Sequence, residues 1–127
     1  MRKLIFLMCI LLWSGLATAG FDEALAAYKK GDFKTAANEF KELSMQGNAQ
    51  AQYILGLMYR QGQGVPRDYT QAYEWLSLAT LGESDAIKFR NSLVGKMTSN
   101  QIEEAQHLAQ EWTTQHKKYQ DEGTKYR

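Results

Sequence analysis

The chain has 127 residues, 23% of them charged, and a formal net charge of +1. That length accommodates one small domain, and a near-neutral balance without a basic block gives no support to non-specific nucleic-acid binding. Cys9 is the single cysteine, so no intrachain disulfide can form and stability must come from packing.

At the N-terminus, Arg2 and Lys3 precede an apolar run from Leu4 to Trp13, and Ala17-Thr18-Ala19 then places small residues where a signal peptidase reads them. Residues 1–19 are therefore expected to be an export signal, cleaved before Gly20, that delivers the chain to the periplasm or the exterior. The apolar run is well short of the roughly 20 residues a spanning helix needs. No stable membrane insertion is expected once the signal is removed. Cys9 lies inside the run without small residues before it, which argues against a lipid anchor. Cleavage leaves 108 residues with thirteen basic against fourteen acidic side chains and no cysteine, in a compartment where disulfides could form.

From Phe21 the periodicity is helical. Tyr28 stands three residues before Gly31, and Asp32 can cap a helix that carries Phe33, Ala36, Ala37, Phe40 and Leu43 on one face. Gly47 ends that helix, and a second, longer unit follows. Its first helix carries Ala51, Leu55, Gly56 and Tyr59. Gly62 and Gly64 break it, Asp68 can cap the next, and Ala72, Trp75 and Ala79 recur at helical spacing up to Gly82. Small and large residues alternate on both faces, so Tyr59 and Trp75 can act as knobs where backbones approach at Gly56 and Ala72. Such a unit cannot bury its apolar face alone and requires stacked neighbours.

The ordered set Ala51, Leu55, Gly56, Tyr59, Gly62, Gly64, Val65, Asp68, Ala72, Trp75, Ala79 and Gly82 resembles the Sel-one-like repeat, a relative of the tetratricopeptide repeat. The segment from Phe21 to Met45 looks like an abbreviated sister closer to the tetratricopeptide version, because it lacks the Gly-x-Gly-Val loop. The resemblance implies an all-α fold, a short right-handed α-solenoid with repeats at about 21–47 and 48–82, used as a scaffold for protein contacts and not generally catalytic.

After Gly82, Ser84 or Asp85 can start a helix carrying Ala86, Ile87, Phe89, Leu93 and Val94, which Gly95 would end in a left-handed cap. Thr98-Ser99-Asn100-Gln101 is a capping box, followed by the stripe Ile102, Ala105, Leu108, Ala109 and Trp112. These capping helices, 84–114, are expected to close the solenoid domain of residues 20–114. The polar stretch 115–127 reads as a frayed helix end and loose tail. No strand pattern is present.

Chemistry finds few candidates. Glu103, His107 and Glu111 recur every four residues on one helix face, a row that could meet a metal only if a second helix supplied further ligands; a solvated face is the simpler reading. His116 lies a further turn along and slightly rotated. Gly62-Gln63-Gly64 joins two helices and lacks the third glycine, the lysine and the acidic partner of a nucleotide loop, so it reads as a turn. Trp75 and Trp112 fall on apolar stripes and read as core. No metal and no cofactor are expected, and the chain is not expected to be an enzyme. A cell-envelope hydrolase or metal-dependent enzyme is the alternative that no residue carries.

In repeats of this kind the first helix of each pair lines the concave side. With Leu55, Gly56 and Tyr59 buried, the second repeat would present Tyr53, Leu57, Arg60 and Gln61 there, and the first Asp22, Ala26, Lys29 and Lys30. This strip suits a protein or peptide partner with some acidic character. With so few repeats, the apolar ends could also pair with a second copy as a structural homodimer.

Overall fold

The computed structural model describes residues 20–125, with side chains up to Lys117 in the last helix; the expected export signal lies outside the described residues. The helices are α1 (20–29), α2 (Phe33–Met45), α3 (Ala49–Gln61), α4 (Tyr69–Ala79), α5 (Asp85–Leu93) and α6 (Ser99–Lys125), with one 3-10 turn at Val94–Lys96. Among the described residues there is no strand, and the fold is an all-α solenoid of helix pairs.

Short-range chemistry sets most helix boundaries. The Asp32 carboxylate accepts from the Thr35 amide at 3.4 Å, and Asp68 accepts from Gln71 at 3.1 Å, as the spacing predicts. Asn48 does the same for α3, accepting from the Ala51 amide at 2.9 Å. At α6 the capping box is reciprocal: the Gln101 amide donates to Thr98 Oγ1 at 3.2 Å and the Thr98 amide to Gln101 Oε1 at 3.0 Å. Helix α3 ends on Gly62 in the left-handed region, φ 71°, a conformation that costs glycine little.

Two apolar clusters hold the pairs together. The first gathers Phe40, Leu43, Leu55, Met58, Trp75 and Leu78, with Ala109 reaching in from α6; the second gathers Tyr73, Leu76, Leu93 and Ala105 with alanines of α4 and α5. Half-buried Tyr59 packs against both. Close approach of α3 to α4 rests on Gly56, where a Cβ would stand 2.7 Å from Leu76 Cγ. Trp75, 8% exposed, meets Trp112 edge-on with ring centroids 6.5 Å apart. Burying such a ring contributes several kcal/mol, of order 3–5.

Two expectations about the C-terminal third are corrected. Gly95 is not a left-handed cap: α5 runs directly into the 3-10 turn, and Gly95 is not among the glycines with positive φ. Nor do residues 115–125 leave the helix, since α6 is 27 residues long, about 40 Å against about 16 Å for α4. One long-range contact reaches this stretch: the His116 ring stacks on Trp112, four residues earlier in the same helix, at 3.4 Å, and its Nε2 lies 2.6 Å from the Met45 carbonyl oxygen at the end of α2. Helix α6 therefore crosses α4 and is fastened to the first pair, one turn beyond the last apolar residue of its stripe.

Candidate partner-binding surface

The first helices of the three pairs are α1, α3 and α5. On α1, Asp22, Ala26 and Lys29 are exposed, as are Lys30 in the turn that follows and Gln61 on α3, as a partner-facing role requires. Tyr53, Leu57 and Arg60 are different. All three are half-buried, Tyr53 and Leu57 packing against the second apolar cluster. The Tyr53 ring lies 6.0 Å from that of Phe89, and Arg60 Cζ sits 5.4 Å over the same ring. Reading α5 as a cap hid this contact, because the sequence alone does not show that α5 stacks beside α3 as a third first helix. The predicted strip is thus divided: Tyr53 and Arg60 join repeat to repeat, while Gln61 and the α1 residues remain open. The signal that could have found Phe89 was its place on the α5 apolar stripe.

Electrostatics mark two groups. The Tyr53 hydroxyl is held above its usual range, first by desolvation and then by the Asp85 and Glu83 carboxylates. Glu74, buried on α4, is pushed up to about 7, chiefly by desolvation and secondarily by the charge of Asp68.

The depressions offer little chemistry. One of about 450 Å³ lies between α4 and α6, lined by Ser77, Leu78, Leu81, Ala109, Gln110 and Thr113 among others, without a titratable side chain. A second holds His107 and Glu111, but every residue lining it comes from α6. Among the described residues no three His, Cys, Asp or Glu side chains are grouped to hold a metal, and Glu103 stays in the exposed row with His107 and Glu111. Gly62-Gln63-Gly64 is occupied structurally. Tyr28 Oη donates to Gln63 Oε1 at 3.2 Å, and Gly64, φ 71°, leaves no room for a Cβ against the Phe33 carbonyl.

With this geometry in place, comparisons with known proteins agree on the architecture. The Sel1 repeat family model matches residues 49–82, the α3–α4 pair and its flanking turns. A solved structure, that of a protective antigen present in uropathogenic Escherichia coli strains displaying an SLR fold, is 31% identical with a TM-score of 0.68. The match covers 76% of this chain and 22% of that one, so this chain spans about a fifth of the antigen's length. No curated protein matches the chain. The second helix pair is accordingly similar to a Sel1 repeat, in an all-α solenoid similar to the SLR fold of that antigen, and Sel1 repeats are generally protein-interaction modules.

Proposed function

We propose that this chain is an exported, non-enzymatic scaffold that holds a protein or peptide partner along the open side of its first helices. The observation that carries this reading is the pairing of a Sel1-like solenoid with an exposed row on α1, its following turn and α3, namely Asp22, Ala26, Lys29, Lys30 and Gln61. Solenoids of this kind expose extended concave surfaces because their helix pairs stack in one direction with a small rotation from each to the next. Export rests on the order of Arg2, Lys3, the apolar run and Ala17-Thr18-Ala19. Intact-mass measurement on periplasmic extract should find a chain beginning at Gly20; retention of Met1 to Ala19 in the membrane fraction refutes export.

The binding reading is tested with Ala26→Glu and Gln61→Glu together, both exposed positions that leave the core untouched. Proteins captured from periplasmic extract by the wild-type chain should be lost from the variant at unchanged melting temperature. Identical capture by both removes the first-helix surface from consideration. A second reading, end-to-end pairing of two copies, is favoured by the exposed apolar pair Ile87 and Val94 in and just after α5. Light scattering across a concentration series decides it.

A further inference from the structure

The turns of the three pairs line two opposite edges of the solenoid. On one edge the α1–α2, α3–α4 and α5–α6 turns are neighbours. Tyr28 reaches Gln63, Gly64 lies against the backbone of Phe33 and Lys34, and Arg67 and Lys96 approach the Tyr69 ring at 5.3 and 5.8 Å from successive turns. On the other edge, Gly82 of the α4–α5 turn lies against Ala49 at the start of α3.

Charge is divided between these edges. The first carries Lys29, Lys30, Lys34, Arg60, Arg67 and Lys96. Its acids Asp32 and Asp68 accept from the amides of Thr35 and Gln71 as helix caps, and Glu103 and Glu104 stand one turn into α6. The second edge carries Glu42, Glu83 and Asp85, with Asp22 and Glu23 at the start of α1, against the cations Lys41 beside Glu42 and Lys117 beside His116. Since the whole chain has a net charge of only +1, this is segregation and not excess.

We infer that the basic edge docks an acidic polypeptide segment in extended conformation, with carboxylates recurring about every third residue. Helices pack 8–10 Å apart, and a chain in the extended polyproline II conformation rises about 3.1 Å per residue with three residues per turn, so every third side chain falls on one face at the spacing of cations from successive turns. Arg60 over Phe89, and Arg67 and Lys96 over Tyr69, are steadied by the rings beneath them, which lowers the ordering cost of pairing with a carboxylate. A guanidinium also receives a carboxylate through two parallel hydrogen bonds.

Two other polyanions fit less well. A membrane surface would want apolar side chains beside the cations, yet the most exposed large hydrophobics, Leu81 at 92% and Met45 at 61%, stand at the acidic edge. Single-stranded nucleic acid would want free aromatic faces for stacking, and Tyr69 and Phe89 are covered by their cations. The inference rests on the scaffold reading's polypeptide partner and places it along the basic edge, which meets the first-helix row at Lys29 and Lys30 and departs from it at Lys34, Arg67 and Lys96.

The test is fluorescence anisotropy of the full chain with a labelled peptide bearing Glu at every third position. A matched Lys peptide, phosphatidylglycerol vesicles and a DNA oligonucleotide serve as comparators. The Glu peptide should bind best and weaken with salt, and R67E/K96E should cost at least about tenfold in affinity. Should that double variant melt below the assay temperature, Lys34→Glu, at an exposed position outside the first-helix row, takes its place with the same expectation. Absent or charge-indifferent peptide binding, tighter binding of vesicles or DNA, or undiminished affinity in the reversal variant overturns the inference. Loss of Glu-peptide binding in Ala26→Glu with Gln61→Glu but not in R67E/K96E would move the site to the first-helix surface, sparing the scaffold reading alone.

Discussion

Replacing Glu74 by Gln should stabilise the protein at pH 8 and change little at pH 5. Glu74 lies on α4 one turn before Leu78 and three residues before Ser77, the residues facing Ala109 and Thr113 of α6 across the depression between them. Its surface is 9% exposed, and its pKa is raised from 4.5 to about 7. For a carboxyl whose folded value lies above its unfolded value, the native state binds the proton more tightly. Stability is therefore full below about pH 4.5 and is lost as pH rises towards and through 7. The displacement corresponds to ~3 kcal/mol at most. Burial short of complete sequestration makes that figure an upper bound. For a domain of this size, ~3 kcal/mol is a shift of about 10–20 °C in Tm. Thermal melts of the wild type and Glu74→Gln from pH 5 to 8 should show the wild-type curve falling away from the variant across this interval. Parallel curves would refute the assignment of a protonated, desolvated carboxyl at this position.

Four further substitutions probe the packing. Gly64→Ala should cost about 2 kcal/mol or more in urea denaturation, because the position combines φ 71° with direct contact on the α2 backbone, whereas Gly95→Ala, with open space around it, should cost little. Trp75→Ala should cost about 3–5 kcal/mol, enough to unfold much of the population; a loss below about 1 kcal/mol would move Trp75 from core to surface. His116→Phe retains a ring against Trp112 but removes the contact with the Met45 carbonyl, so amides of α6 beyond Thr113 should exchange faster with solvent while those of α3 and α4 are unchanged. Unaltered exchange there would mean that His116 does not fasten α6 to α2.

Much of the helical architecture is legible in the sequence because its determinants act within four residues. Asp32, Asp68 and Thr98 accept from amides three positions onward, Gln101 accepts from the amide three positions back, and Gly62 ends α3 through its own φ. The Ala-Leu-Gly-Tyr and Ala-Trp-Ala spacings likewise place one face of α3 against α4 wherever the pair is found. Contacts between residues far apart in sequence leave no such local mark. Nothing near His116 announces that its partner is Met45, seventy-one positions earlier, so a polar stretch read as a tail proves to be helix.

Phe89 taking up Tyr53 and Arg60 follows from α5 stacking beside α3, and the division of basic from acidic side chains follows from which turns share an edge. The sequence alone determined where helices start, stop and turn an apolar face, because backbone hydrogen bonding and periodicity are local. Only the tertiary structure decided which polar and charged residues stand together at the surface. That depends on the rotation and offset between stacked pairs, which are set by packing at Gly56, Gly64 and Gly82 across the whole chain.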